Sequence, residues 1–138
     1  MAVFANTGEL ISVMTTLWER IKLDPDMSEK LLRSQLIVQF RYRDPEGLIT
    51  IDCSDGRNFK IIAGSTLVKP IIEMSMKSDI AHEFWMGRVS VPVAILTGTI
   101  VSKGPTPKAL ALLPVIRPAF AFYPQILQEA GKKALISS

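Results

Sequence analysis

The chain has 138 residues, of which 48% are hydrophobic and 21% charged, with one cysteine and one histidine. This length and apolar content predict a single folded domain and exclude a disordered chain. One cysteine excludes an intrachain disulfide, and one Cys with one His cannot complete a zinc site. We therefore expect one domain over residues 1–138, with no bound metal and no cofactor, in the reducing cytoplasm.

Charged residues are distributed unevenly along the chain, although the net charge is only +3. Residues 1–83 carry 10 basic and 12 acidic side chains, whereas residues 84–138 carry 6 basic and 1 acidic. So small a net charge argues against nucleic-acid binding, but the basic C-terminal half would accept anionic lipid headgroups or an acidic partner. A half-buried C-terminal half with few polar positions explains the same distribution. The longest stretch without Asp, Glu, Lys or Arg, residues 89–102, is too short to span a bilayer, so we expect a soluble protein.

Two helices are predicted at the N-terminus. Asn6 followed by Glu9 is a capping-box pattern, and apolar residues then recur at helical spacing over residues 10–21. Asp24 can cap a second helix, because Pro25 suits the first helical position.

The pattern then changes to the alternation of period two that is typical of β-strands. Asp55-Gly56 is a hairpin signal between two of the predicted strands. The class predicted is α+β, with a five-stranded, largely antiparallel sheet whose one face is covered by helices. The strands are predicted over residues 36–42, 48–53, 58–63, 70–76 and 99–103.

Helices and an apolar tail are predicted after the fourth strand. Ser78 can cap a helix that ends at Gly87, and Thr106 followed by Pro107 can start another. From about residue 114 the tail is rich in proline and apolar residues, so it cannot form one straight helix. Such an excess of apolar side chains has two explanations, since it either packs over the core or walls a cavity that a ligand's hydrocarbon fills. The residue pattern alone leaves both open.

His82 is the one candidate for proton transfer. Its helical surroundings contain no spacing that implies a partner, so we expect a surface or rim histidine. The sequence has no nucleophile-elbow, phosphate-loop or dinucleotide-binding motif, and Cys53 at the end of a strand is expected to be a small buried hydrophobe. We therefore expect no catalytic residue, with an enzyme that uses His82 as the alternative.

The order of motifs after the fourth strand resembles the sterol carrier protein type-2 family. It comprises a helix starting at Ser78-Asp79, the helix-ending Gly87, residues 92–94 with the pattern Pro-x-Ala, and the strand between Gly98 and Gly104. The preceding order of helix, helix and three strands is also similar, so the resemblance covers roughly residues 8–113. The sequence departs from the family pattern at Ser102, at Gly104-Pro105 and in its longer tail.

The resemblance implies an apolar tunnel between the sheet and the helices, in a domain that is not catalytic. The tunnel would bind a fatty acid, an acyl-CoA, a sterol-like molecule or a phospholipid. The residues that we predict to bind this ligand are Met74, Met76, Phe84, Trp85, Ile95, Ile100, Leu110, Leu113, Ile116, Phe120 and Phe122.

Two functions from different classes follow. The first is a soluble lipid-binding or lipid-transfer protein, and the alternative is a non-catalytic interaction module that dimerises or docks on a partner enzyme through its apolar C-terminal segment. The partners expected are a lipid ligand and, transiently, a membrane surface or a second copy of the chain. Nucleic acid is not expected as a partner.

Overall fold

The computed structural model of the chain describes residues 3–137. Its centre is one five-stranded sheet in the order β3-β2-β1-β4-β5. The strands are β1 (Ile37–Arg43), β2 (Gly47–Asp52), β3 (Lys60–Ala63), β4 (Ile72–Lys77) and β5 (Val101–Lys103). The α+β class predicted from the sequence is confirmed.

Along the chain, helices precede the first strand, lie between the fourth and fifth strands, and follow the fifth strand. The α-helices are α1 (Thr7–Leu23), α2 (Pro25–Ser34), α3 (Ser78–Trp85), α4 (Val91–Leu96), α5 (Thr106–Leu110), α6 (Leu113–Ile116) and α7 (Phe122–Glu129). Two short 3₁₀ helices, Arg117–Ala121 and Lys133–Ser137, lie in the C-terminal part.

The sheet is largely antiparallel, as predicted, with one parallel pair of strands. Strand β1 pairs antiparallel with β2 and parallel with β4, so that Phe40 lies opposite Ile49 on one side and Met74 on the other. The parallel pair arises because residues 64–71 carry the chain from β3 past two strands before β4 begins. This connection is held at its two ends by the amides of Gly64 and Ile71, which donate to carbonyl groups of β2 and β1 at 2.8 and 2.9 Å.

The predicted helix starts are confirmed for α1 and α2. The side chain of Asn6 accepts a hydrogen bond from the amide of Glu9 at 2.9 Å, and Asp24 accepts one from the amide of Met27 at 3.0 Å. Each cap satisfies an amide that has no partner inside its own helix. The buried face of α1 consists of Leu10, Val13, Met14, Leu17, Trp18 and Ile21, which packs toward the sheet at helical spacing.

Ser78 is not the cap of α3, contrary to the prediction. It is the first helical residue, with Lys77 in the cap position. Its buried hydroxyl donates to the carbonyl of Pro45 at 2.7 Å and also lies 3.2 Å from the carbonyl of Arg43. The serine therefore ties the start of α3 to the turn between β1 and β2.

Residues Thr106–Glu129 form a succession of short helical segments. Pro107, Pro114 and Pro118 each lie in the first turn of their segment, where a missing amide hydrogen costs no helical hydrogen bond. By length and composition alone, this run of 24 residues is long and apolar enough to cross a membrane. Lys108 and Arg117 interrupt its apolar sequence, so it contains no long stretch free of charged residues.

Two glycines test the placement of β5. Gly104 has φ +100°, and a Cβ there would lie 2.2 Å from the carbonyl oxygen of Ile71, whereas Gly98 has φ +78° with open space around it. We expect Gly98→Ala to lower the free energy of unfolding by about 1–2 kcal/mol through backbone strain, and Gly104→Ala to lower it by more. Urea denaturation of both variants measures the difference, and equal losses would contradict the close approach of Gly104 to β4.

Candidate functional site

An apolar cavity of about 90 Å³ lies between the sheet and the helices. The sheet forms its floor, because alternate residues of a strand point to the same face. Val38, Phe40 and Tyr42 of β1 line it, together with Met74 and Met76 of β4. Burial raises the pKa of the Tyr42 phenol well above its usual range, so this hydroxyl stays neutral.

The helices, the adjoining loops and Ile51 of β2 form the rest of the lining. Within residues 3–137, no charged side chain lines the cavity. The lining residues beyond the floor are Trp18, Leu31, Ser34, Leu36, Ile51, Cys53, Ala81, Phe84, Trp85, Val91, Ile100, Ala109, Leu112, Leu113 and Ile116.

Trp18 occupies a central place in this wall. Its ring centroid lies 5.7 Å from that of Phe40 and 5.7 Å from that of Trp85, which it meets edge to face. The side chain is only 4% exposed, and its indole nitrogen has no hydrogen-bond partner among the described residues. A buried donor left unpaired costs about 1–3 kcal/mol.

The structure brings seven of the eleven predicted ligand-binding residues to the cavity wall. The other four do not line it. The packing explains two of them. The buried residues of α4 are Val91 and Ala94 and not Ile95. The buried residue of α5 is Ala109 and not Leu110. The seven at the wall are Met74, Met76, Phe84, Trp85, Ile100, Leu113 and Ile116.

The two remaining predicted residues are aromatic. Phe120 packs edge to face against Phe84 at 5.3 Å and against Trp85 at 6.0 Å, and therefore supports wall residues without lining the cavity. Phe122 is half-buried at the start of α7 and packs against the core. Ligand binding by any of the eleven residues stays a prediction.

Cys53 lies in the wall as the buried hydrophobe that the sequence predicted. It is 2% exposed, and burial, together with the nearby carboxylates of Asp52 and Asp55, raises the pKa of its thiol to about 12. Because the thiolate is the reactive form, this cysteine is chemically inert at neutral pH.

His82 is fully buried, so its prediction as a surface or rim residue was wrong. Its Nδ1 lies 2.8 Å from the hydroxyl of Tyr123, and Phe4 meets its ring edge to face. Residues Ser78, His82 and Trp85 share the buried face of α3, whereas Tyr123 is 41 residues away in sequence and gives no local signal. The pair joins α3 to α7.

The environment of His82 favours the neutral imidazole. Burial is the largest cause of its lowered pKa; Arg88 acts in the same direction, while Glu83 and Asp79 oppose it. His82 does not line the cavity. Residues 3–137 contain no group of three or more His, Cys, Asp or Glu that could hold a metal ion.

The lowered pKa of His82 predicts a pH-dependent stability. Below its ordinary pKa of 6.5, the unfolded chain binds this proton more readily than the folded one. The free energy of unfolding should therefore fall as the pH drops below 6.5, by up to about 1.4 kcal/mol per pH unit. His82→Gln removes this contribution, so urea denaturation at about pH 7.5 and about pH 5.5 should show a shallower dependence. An unchanged dependence would contradict a neutral, buried imidazole.

No family model and no curated protein matches this chain. Solved structures do match it. Sterol carrier protein 2 from Yarrowia lipolytica in its apo form superposes with a TM-score of 0.63 at 15% identity, over 82% of this chain and 91% of that one. The sterol carrier protein domain 2 of Helicoverpa armigera gives a TM-score of 0.62 at 23% identity, over 78% of this chain and 85% of that one. The chain has the sterol carrier protein 2 fold.

A third solved structure that matches is of a palmitated protein. Palmitated SCP2L2 from Aedes aegypti superposes with a TM-score of 0.54 at 16% identity, over 75% of this chain and 90% of that one. These comparisons confirm the fold that the sequence resemblance implied. At such low identity they establish the arrangement of the chain and not its ligand.

Proposed function

We propose that this protein is a non-catalytic carrier that holds the hydrocarbon part of a lipid in the cavity between sheet and helices, within a single domain. The observation that carries the proposal is an apolar cavity, free of charged residues in the part of the chain that the structure describes, in a fold shared with sterol carrier proteins. Apolar surface transferred out of water stabilises such a complex without directional contacts. Fatty acids, acyl-CoAs, sterol-like molecules and phospholipids all supply that surface.

The size of the cavity implies that part of its wall moves when a long chain enters. Its volume of about 90 Å³ is below the roughly 150 Å³ that holds one benzene ring. A sixteen-carbon chain offers a gross ~12 kcal/mol at ~0.8 kcal/mol per buried methylene, which can offset the displacement of side chains. Met74 and Met76 on the floor have flexible side chains that adjust to different ligands.

The moving part of the wall is proposed to be α5 and α6. These helices have five and four residues, so each contains few internal hydrogen bonds. Their inward residues Ala109, Leu113 and Ile116 line the cavity. An outward shift of this segment would enlarge the cavity and leave the hydrogen-bonded sheet intact.

The unpaired indole N–H of Trp18 supports a ligand that carries an acceptor. Trp18 lines the cavity, and its nitrogen has no partner within residues 3–137. A hydroxyl, ester or carboxyl oxygen of a lipid that came within hydrogen-bonding distance of this nitrogen would satisfy the donor and relieve the cost of leaving it unpaired. Purely aliphatic ligands cannot do so.

The rival function is an interaction module that uses the apolar C-terminal segment to bind a second copy or a partner enzyme. Exposed apolar residues of that segment favour this function as well, because Pro114, Pro118 and Ala121 are exposed. The two functions differ in what enters the cavity. Only the carrier needs its interior to be accessible to a ligand.

A substitution that fills the cavity distinguishes the lipid carrier from the interaction module. Ala109→Leu adds three carbons to the wall, and we expect it to weaken uptake of a fluorescent fatty acid at least about tenfold while the free energy of unfolding stays equal or rises by about 0.5–2 kcal/mol. Ala111→Leu is the matched control, because Ala111 is exposed two residues further along the chain. Fluorescence titration and urea denaturation measure the two quantities.

The unmodified protein should take up one fatty acid per monomer, as native mass spectrometry would show. Unaltered uptake by Ala109→Leu would contradict the cavity as the binding site. A tight dimer that ignores the fatty acid would support the interaction module instead.

A further inference from the structure

Helix α4 is apolar on all of its sides. Its sequence is Val-Pro-Val-Ala-Ile-Leu, in which no side chain is polar. Val91 and Ala94 face the interior, whereas Val93 and Leu96 on the opposite side are 56% and 86% exposed. A helix without a polar face is normally buried on all sides, whereas the outer side of α4 is exposed.

The segment that follows β5 exposes small apolar residues and two basic ones. Only 28% of the most apolar part of Thr106–Glu129 is buried. Lys108 and Arg117 are the only polar side chains among the exposed residues of positions 106–121, and both are basic. The exposed residues there are Pro107, Lys108, Ala111, Pro114, Arg117, Pro118 and Ala121.

The helices that carry these two surfaces line the same cavity. Val91 of α4, Ala109 of α5 and Leu113 of α6 all contribute to its wall, so these helices belong to the same layer over the sheet. We call the outer side of α4 and the exposed side of residues 106–121 the docking surface. It covers the part of the cavity wall that is built from the shortest helices.

The charged residues of the docking surface are all basic. Residues 84–128 contain Arg88, Lys103, Lys108 and Arg117 but no Asp or Glu. Within the part of the chain that the structure describes, Lys103, Lys108 and Arg117 form no ion pair. A partner that fits must therefore offer hydrocarbon in the middle and negative charge at the border. A bilayer that contains anionic lipids has both properties at its interface.

We propose that the docking surface binds bilayers that contain anionic lipids. Val93 and Leu96 insert below the headgroups, and Lys108 and Arg117 contact the phosphates. The proposal deepens the proposed function, because docking places the movable wall of the cavity against the source of its ligand. A membrane fits this surface better than an acidic protein does, because a bilayer interface offers continuous hydrocarbon next to phosphate charge.

Vesicle sedimentation tests the apolar part of the docking surface. The full chain should bind phosphatidylcholine vesicles that contain phosphatidylglycerol, and bind vesicles of phosphatidylcholine alone much more weakly. Val93→Ser with Leu96→Ser should reduce binding to the anionic vesicles at least about tenfold. Leu67→Ser is the matched control, because Leu67 is fully exposed in the connection between β3 and β4, and it should leave binding unchanged.

The basic part is tested by charge reversal. Lys108→Glu with Arg117→Glu should reduce binding to anionic vesicles at least about tenfold. A higher salt concentration should also weaken the binding of the unmodified protein to these vesicles, because exposed charges are screened. Lys69→Glu, at an exposed position in the same connection as Leu67, should reduce binding far less. All these positions are exposed, so the unfolding midpoints should remain close to that of the unmodified protein.

The outcomes separate docking from ligand uptake. Ala109→Leu should still bind anionic vesicles although it fails to take up the fatty acid, so loss of one property does not imply loss of the other. The proposal is overturned if the chain does not bind anionic vesicles, or if Leu67→Ser weakens binding as much as the changes on α4. A dimer in solution that Leu96→Ser dissociates would overturn it too, since a second copy would then be the occupant.

Discussion

The contact of Trp18 with Phe40 and Trp85 joins the sheet to two helices, because each of the three rings comes from a different element. Trp18 belongs to α1, Phe40 to the central strand β1 and Trp85 to α3. Rigid rings that meet at about 5.7 Å fix the distance between the sheet and the helices. They also keep the space beside them from collapsing, since flat, stiff side chains cannot adapt to fill it. The cavity is thus a consequence of how the layers are joined.

The sequence predicted the elements better than their arrangement. Local signals such as the caps Asn6 and Asp24 predicted α1 and α2, and alternation predicted the strands, because these depend on neighbours in the chain. The parallel pairing of β1 with β4 was not predictable in this way, since a buried strand alternates identically in either direction. It depends on the path of residues 64–71, which contain no periodic pattern.

The same distinction applies to the candidate site. Large side chains such as Met74, Phe84 and Trp85 could be predicted from hydrophobicity, and the structure places them at the wall. Ala81 and Ala109 could not, because a small residue gives little hydrophobic signal, although its small size is what leaves the cavity open. The His82–Tyr123 pair was missed for another reason, since only the folded chain brings residues 41 positions apart within 2.8 Å.

The C-terminal helices have two features that packing over a core does not explain: they are short, and they are apolar on both sides. Prolines keep α5, α6 and the following 3₁₀ helix short, so their stability comes from packing more than from helical hydrogen bonds. Their inner side needs apolar residues to close the cavity, but nothing in a core requires their outer side, or that of α4, to be apolar as well. If those outer sides faced water in every state, polar residues there would cost nothing and would improve solubility. Apolar residues on both sides are what the proposed ligand cavity and the proposed docking surface together require.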